Sequence, residues 1–351
     1  MNISTLKAKY EQDWQKIVAR YQSPQRARSI GQLLNTLVPY ALLWYVMVKC
    51  LSISYWLVLP SSVVAAGLLV RIFIIFHDCG HGSFFKSQKA NHFWGFLTGL
   101  LVFTPYQYWR HEHAVHHSHA GDLDHRGVGE VWTMTVKEYL QASRWTRIKY
   151  RFVRNPICLF IIGPSILFFI VHRLPLRKPA AQGRKSVHLT NFGILMIAVA
   201  MSFLIGFKEY LLIQLPVVMI AASAGVWLFY VQHQFEGVYW ERHEQWDYVS
   251  EALKGSSYLK LPKILQWFTG NIGFHHIHHL SPGIPNYFLE TCYKENPMFQ
   301  ETKPITLLTS LKSLTFRLWD EQHNRLVGFS YLKGLKYSYH QTGARYGKGN
   351  S

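Results

Sequence analysis

The stretch SYWLVLPSSVVAAGLLVRIFIIFHDCGH, residues 54–81, decides the fold. Its apolar part, 54–76, approaches the roughly 20 residues that a membrane-spanning helix needs. It is followed directly by His77 and by His81, four positions further on. If the helix continues past the apolar part, both imidazoles lie on one of its faces. The stretch therefore predicts a membrane-spanning helix that ends in a pair of potential metal ligands.

Three other apolar runs are long enough to cross a bilayer. Residues 33–51 precede the first stretch across a very short turn, and the runs 191–207 and 211–231 are separated by Lys208-Glu209-Tyr210. Each pair of runs forms a helical hairpin that returns to the side from which it started. We therefore expect an all-α membrane protein with four spans in two hairpins, at about 33–51, 54–76, 191–207 and 211–231.

Two shorter runs are expected to be interfacial or re-entrant helices. The run 93–103 has about eleven residues, too few to span, and the run 156–171 is interrupted by Gly163-Pro164. Charge supports this topology, because basic residues concentrate on the cytoplasmic side of membranes. The segment 172–188 has five basic and no acidic residues: Arg173, Arg177, Lys178, Arg184 and Lys185. The N-terminal segment is also basic, with Lys7, Lys9, Lys16, Arg20, Arg26 and Arg28.

This topology places both termini and every histidine cluster on the cytoplasmic side of a cell membrane. We expect a basic cytosolic N-terminal segment, 1–32, followed by a single domain, 33–351. The cytosolic parts of that domain, 77–190 and 232–351, would form a histidine-rich cap that carries the chemistry.

The composition agrees with a membrane protein whose loops are basic. The formal net charge is +18, from 37 Lys and Arg against 19 Asp and Glu. Such a balance often indicates nucleic-acid binding, but the apolar runs favour basic loops that face an anionic leaflet. We therefore expect no nucleic-acid partner. The four cysteines form no CxxC motif, which favours a reducing setting over a disulfide framework.

Two more histidine clusters share one spacing. His113, His116 and His117 stand at i, i+3 and i+4, and the third cluster repeats this pattern with His275, His278 and His279. The spacing gathers three imidazoles on one face of a helix, the arrangement by which helical histidines hold a metal. Eight imidazoles exceed the needs of one ion, so the sequence predicts two metals.

Other polar residues near these clusters are candidates for supporting roles. His233 stands alone at the end of the last span, as either an interfacial residue or a ligand. Asn271 precedes His275 by four positions, so a helical extension would point it toward that ring, where it would bond a metal-bound water. Carboxylates that could accept the second N–H of a ligand histidine are Asp78, Asp122, Asp124, Glu112 and Glu236. Four histidines break the repeated spacing and are read as neighbours of the site: His111, His119, His125 and His276.

HDCGH followed by two HxxHH clusters, beside paired spans, resembles the integral-membrane fatty acid desaturases. The resemblance covers about residues 30–330 and is closest to bacterial acyl-lipid desaturases of the Δ5 type. Further stretches that carry it are WR at 109–110, GDLDHRG at 121–127, VWTMTVKEY at 131–139, QHQFE at 232–236, GNIG at 270–273 and PNY at 285–287.

The resemblance implies a non-haem centre of two iron ions and an O2-dependent reaction. The activity it implies is the introduction of a cis double bond into saturated acyl chains of membrane phospholipids. The iron ligands carried over are His77, His81, His113, His116, His117, His233, His275, His278 and His279. Because no haem-binding module or dinucleotide fingerprint is visible in the sequence, electrons are expected from a separate carrier, a ferredoxin or flavodoxin.

Two other activities fit the same pattern of residues. A fatty-acyl or carotenoid hydroxylase or ketolase would use the same di-iron scaffold, and analysis of the product separates it from a desaturase. A metal-dependent membrane hydrolase would consume no oxygen. A metal transporter or sensor is disfavoured, because transport predicts polar ligands in the middle of a span and these clusters lie at span ends.

Overall fold

The structure is a computed structural model that describes residues 14–176 and 180–334. It is mostly helical. The α-helices are α1 Trp14–Ala19, α2 Arg26–Leu51, α3 Tyr55–His81, α4 Gln88–Leu101, α5 Tyr106–His119, α6 Val136–Gln141, α7 Arg144–Val153, α8 Gly163–Phe169, α9 Ala181–Ile205, α10 Phe207–His233, α11 Tyr248–Ser250, α12 Lys263–Phe268, α13 His275–Leu280, α14 Asn286–Glu295, α15 Pro297–Gln300 and α16 Leu307–Ser310. Single turns of π-helix span Cys158–Ile162 and Glu251–Gly255, and 3-10 turns span Val171–Arg173 and Leu311–Thr315.

Four of these helices are long and apolar enough to cross a membrane: α2, α3, α9 and α10. They form the two predicted hairpins, the first turning at Ser52–Ser54 and the second at Gly206, whose φ of +96° is accessible to glycine. The predicted fold class is therefore confirmed. The α2 helix begins at Arg26 rather than at residue 33, and α9 begins at Ala181 rather than at 191. In both places the basic stretch before the apolar run is helical too.

Helix α3 is the centre of the bundle. In the most apolar stretch of α3, 61% of the residues are buried, whereas the corresponding share in α9 is 6%. It packs against α2, α4 and α10, and the apolar core around it includes Ile72, Ile75 and Phe76. Because α3 is surrounded by other helices, its C-terminal end and the histidines there are held in a fixed position.

The two shorter runs behave differently from the four long helices. The first forms α4, whose 14 residues are too few to cross a bilayer alone. The second is broken into the π-turn Cys158–Ile162, α8 and the turn Val171–Arg173. Together with α7 it is long and apolar enough for a span, but the two parts bend by 64°, as in a broken span or a re-entrant loop.

Short strands, which the sequence analysis did not predict, join distant parts of the cap. Met134–Thr135 (β1) pairs in parallel with Leu318–Asp320 (β4), which pairs antiparallel with Arg325–Val327 (β5). Tyr258–Lys260 (β2) pairs in parallel with Pro304–Thr306 (β3).

A buried arginine reinforces this connection. Arg154 is fully buried and donates hydrogen bonds to Tyr230, to Gln234 and to the carbonyl of Phe316. It thereby ties α7 and the C-terminal strands to the end of α10.

Candidate metal centre

The first two histidines lie in the last turn of α3. Because the helix continues past the apolar run to His81, His77 and His81 share one face, and their rings are 4.7 Å apart. His77 is buried, with 4% of its surface exposed. The end of the central helix therefore presents two imidazoles to the cap.

Helix α5 is attached closely to this end of α3. Tyr106 donates a 2.6 Å hydrogen bond to the carbonyl of Cys79, and Arg110 donates one of 2.9 Å to the carbonyl of Gly80. A Cβ on Gly80 would lie 2.9 Å from the Trp109 ring, so this approach needs glycine. Trp109 in turn stacks on His113 at 4.3 Å. These contacts aim the second histidine cluster at the first.

The other histidines come from α10 and α13. His233 is the last residue of α10, and α13 consists of His275–Leu280, every residue of which is buried. The nine histidines therefore come from four helix segments, which bring them to one place in the cap.

Five histidines form the first group, with one ring nitrogen from each lying within 4.8 Å of the others. The Nε2 atom of His117 lies 3.1 Å from Nε2 of both His113 and His278. The members of group one are His77, His81, His113, His117 and His278.

The second group is built around His233. Its Nε2 atom lies 3.2 Å from Nε2 of His116 and 3.0 Å from Nε2 of His275. One ring nitrogen from each of His116, His233 and His279 lies within 4.8 Å of the others. The ring of His275 lies 4.5 Å from that of His279. The two groups adjoin, because the rings of His117 and His279 stack at 4.2 Å. We call His116, His233, His275 and His279 group two.

The spacing of the nitrogens fits metal ions. Two nitrogens, each about 2.1 Å from one ion at 90–110°, are roughly 3.0–3.4 Å apart, which matches the Nε2 separations in both groups. The Nε2 atoms of His81 and His279 are buried and have no hydrogen-bond partner among the described residues. Buried ring nitrogens without a hydrogen-bond partner are suited to bind a metal ion.

Burial also favours the neutral form of histidines in this site. Burial lowers the pKa of six of them well below the usual value, with the neighbouring imidazoles acting in the same direction: His113, His116, His117, His275, His278 and His279. Neutral imidazoles keep a free lone pair for a metal.

A carboxylate supports one histidine in each group. Asp78 accepts from Nδ1 of His77 at 3.2 Å through one oxygen. Its other oxygen accepts from the backbone and side-chain nitrogens of Asn286 at 2.7 and 2.8 Å. In group two, Glu251 lies 3.2 Å from Nδ1 of His279, and both side chains are buried. Each carboxylate orients a ring so that Nε2 faces the group.

Glu251 was missed by the sequence analysis. It lies in the π-turn Glu251–Gly255, outside the motifs and 28 positions before His279. Burial raises its pKa well above the usual value. The sequence shows only an acidic residue between His233 and the third cluster, and the contact of Glu251 with His279 depends on the tertiary fold.

The other proposed supporting residues lie elsewhere. Asp124 accepts from Arg242 and from the backbone N–H of His243, and Glu236 is exposed and pairs with Lys312. Asn271 is not on a helical extension of the third cluster, because α13 begins at His275 and Asn271 has a left-handed φ of +60°. Its side-chain oxygen accepts a hydrogen bond from Gln266, and its side-chain nitrogen donates one to the carbonyl of Asn286.

The remaining histidines near the clusters take other positions. His276 is buried but lies 3.2 Å from the carbonyl of Phe299, and burial lowers its pKa to about 4. His111 is exposed. His125 contacts Asp122, together with His243.

Comparison with known proteins defines the class of enzyme. The sequence model described as "Fatty acid desaturase" matches residues 54–305. A fatty acid desaturase of Bacillus subtilis (strain 168) is 48% identical over 323 residues, covering 92% of each chain. An sn-1 oleoyl-lipid 12-desaturase of Picosynechococcus is 27% identical, covering 78% of this chain and 80% of the relative. An sn-1 acyl-lipid omega-3 desaturase (ferredoxin) of Synechocystis is 28% identical, covering 67% and 66%.

The fold, the histidine groups and these similarities define a membrane oxidoreductase. The chain belongs to the fatty acid desaturase family. The resemblance to the integral-membrane fatty acid desaturases is thereby confirmed. The family generally uses a di-iron centre, and the two histidine groups could hold metal ions.

Proposed function

We propose that this enzyme introduces a cis double bond into saturated acyl chains of membrane phospholipids, using O2 and two iron ions. The observation that carries the proposal is the convergence of nine histidines at one end of α3 and α10, two helices that are long and apolar enough to cross a membrane. Such a centre lies where an acyl chain can reach it from the bilayer. The phospholipid substrate and the Δ5 position rest on the sequence resemblance, and relatives named as acyl-lipid desaturases support the substrate class.

Group one would hold one iron, and group two would hold the other. The two groups share no residue, and their rings contact each other at several points, including the stacked pairs His117–His279 and His275–His278. Iron bound there would activate O2, the oxidant that removes hydrogen from unactivated methylene groups. The protein's own contribution is to position and shield this chemistry.

Shielding follows from the burial of the site. Seven of the nine histidines are less than 9% exposed, and among them His278 and His279 are fully buried. A small cavity of about 20 Å³ lies beside His116 and His233, and Phe229 and Tyr230 also line it. It has room for about one water-sized molecule. Bulk water therefore has little access to these histidines.

Orientation and partners follow from charge. We propose that the histidine groups and both termini are cytoplasmic, in a multi-pass cell-membrane protein made of a basic segment, 1–32, and one domain, 33–351. Residues 1–13, 177–179 and 335–351 of this scheme lie outside the described residues. Helix α2 begins at Arg26 and crosses the proposed boundary at 32.

An acidic electron carrier, a ferredoxin or flavodoxin, would be attracted to the basic surface. The Synechocystis relative carries ferredoxin in its name, which supports this class of donor. Reduction should slow as the salt concentration rises, whereas a rate independent of salt with an acidic donor would contradict electrostatic docking.

The test is fatty-acid profiling, with location of the double bond, in a host that has no desaturase of its own. The native chain should give a new cis-monounsaturated acid in phospholipids, with the double bond at Δ5. His116→Ala should abolish it. His111→Ala is the matched control, because His111 is exposed on the same helix, and it should retain the product.

Other products would redirect the assignment. A hydroxylated acid would favour the hydroxylase or ketolase alternative. No new lipid in iron-loaded cells with a competent donor would contradict the acyl-lipid substrate, and a product released without oxygen uptake would favour the hydrolase.

A further inference from the structure

A second kind of histidine cluster lies on the surface of the cap. The carboxylate oxygen Oδ2 of Asp122 lies 2.7 Å from Nδ1 of His125 and 2.7 Å from Nδ1 of His243. The two rings are 4.5 Å apart. The Asp122 side chain is 1% exposed, whereas those of His125 and His243 are 46% and 60% exposed. The cluster therefore has a buried acidic floor and an open side that faces solvent.

The backbone holds these side chains in place before any ligand arrives. Leu123 donates to the carbonyl of Glu241 at 2.9 Å, and Glu241 donates to the carbonyl of Gly121 at 3.0 Å. The second oxygen of Asp122 accepts from the backbone N–H of Asp124 at 2.9 Å. The two segments that carry the cluster are thus paired to each other, and only one oxygen of Asp122 is left for the histidines.

Among the described residues, two arginines close to the cluster in sequence pair with other carboxylates and not with Asp122. Arg126 is paired with Glu138, and Arg242 is paired with Asp124 and Glu321. With neutral imidazoles, the cluster carries one net negative charge on a strongly basic protein. A small cation that accepts nitrogen and oxygen ligands fits this position better than a basic side chain does.

We propose that Asp122, His125 and His243 form a third metal site that binds a divalent transition-metal ion of the zinc type. Their ligand atoms lie within 4.8 Å of one another. Two imidazoles and one carboxylate form a common ligand set for Zn²⁺, and solvent supplies the fourth ligand at an exposed site. The site shares no residue with the two groups described above and is independent of the reaction proposed for them.

An ion at this site connects the chain segments that follow two of the helices carrying histidines of the main centre. Asp122 follows α5, which carries His113, His116 and His117, and His243 follows α10, which ends at His233. An ion bound to both segments stabilises the folded cap over any state in which they separate. Zn²⁺ should therefore raise the midpoint of thermal unfolding of the native chain.

The test compares metal content in the iron-loaded, full-length enzyme after equilibration with Zn²⁺ and removal of free metal. The variant His125→Gln with His243→Gln keeps hydrogen-bond donors for Asp122 but removes both imidazoles. The native chain should hold one more metal ion than this variant, with equal iron in the two. The single change His243→Gln should weaken Zn²⁺ binding at least about ten-fold.

The chain offers a matched control in His323. Its Nδ1 lies 2.8 Å from a carboxylate oxygen of Asp320, and its side chain is 54% exposed, but it is the only histidine in that pair. His323→Gln should keep the full metal content. Equal metal in the native and doubly substituted chains would overturn the proposal, as would an equal loss in His323→Gln.

A measurement on the native chain covers the case in which the double variant does not fold. Co²⁺ added to the iron-loaded enzyme should give the ligand-field absorption of a site with nitrogen and oxygen ligands, and Zn²⁺ should displace it. No such absorption would also overturn the proposal.

Discussion

Replacing Glu251 by alanine should loosen one of the two iron ions and leave the other in place. Glu251 accepts from Nδ1–H of His279 at 3.2 Å, and both side chains are 1% exposed or less. Without the carboxylate, this N–H has no acceptor in the described site. A buried donor left unpaired costs about 1–3 kcal/mol, and loss of an outer carboxylate weakens metal binding by about 10–100-fold.

The cost of the unpaired donor and the loss of metal affinity agree, because a ten-fold change in affinity corresponds to about 1.4 kcal/mol. We therefore expect Glu251→Ala to weaken iron retention in group two by about 30-fold. Glu251→Gln keeps an oxygen that can accept the hydrogen bond, so its loss should be smaller, under about ten-fold. Asp78 supports group one and is unaffected by either change.

The assay is iron content per chain after equilibration with a graded series of chelator concentrations. The native chain should lose its two irons over a similar range, and Glu251→Ala should lose one of them at about 30-fold lower chelator strength. Glu236→Ala is the control, because Glu236 is exposed and pairs with Lys312. A Glu251→Ala curve that overlays the native one would refute the supporting role of this carboxylate.

Three further predictions follow from the same contacts. Asp78→Asn should lower the free energy of unfolding by about 2–4 kcal/mol, measured by denaturant melts in detergent, because the amide has only one accepting oxygen and its nitrogen would face either His77 Nδ1–H or the two N–H donors of Asn286; an unchanged midpoint would contradict it. Gly273→Ala should cost about 1–3 kcal/mol of thermal stability, because its Cβ would lie 2.3 Å from the carbonyl of Leu259. Gly225→Ala, with nothing within 4 Å of its Cβ, should cost no stability. The metal-free chain should lose stability as the pH falls below the ordinary histidine pKa of about 6.5. The loss should reach up to about 1.4 kcal/mol per pH unit for each buried histidine of the second and third clusters. Burial lowers the pKa of these rings in the folded state, so the unfolded chain binds more protons there; a flat thermal midpoint from pH 7 to pH 5 would contradict this.

The membrane part of the fold was predictable because it depends on length and hydropathy. Each of the four long apolar runs became a helix, and the hairpin order placed His77 and His233 at the same end of the bundle. The ends were less accurate, since the basic residues before 33 and 191 continue the helices although they add nothing to the apolar signal.

The placement of the clustered histidines on shared helix faces was predictable, because i, i+3 and i+4 spacing is a local property of a helix. Their partners were not, because those contacts join positions far apart in sequence. Asp78 was proposed as a neighbour of His77, yet its second oxygen bonds Asn286, 208 positions away. Asn271 shows the opposite case: a helical extension looked natural, but residues 270 and 271 both have positive φ and turn the chain before α13 begins.

The central claim is that nine histidines hold two metal ions, and iron stoichiometry tests it most directly. The measurement is iron per chain in purified enzyme, made in a chain that also carries His125→Gln and His243→Gln so that the surface cluster contributes nothing. The account predicts two irons, falling to about one when His278 of group one or His275 of group two is replaced by alanine. One iron per chain in the parent, or two irons retained after either replacement, would contradict it.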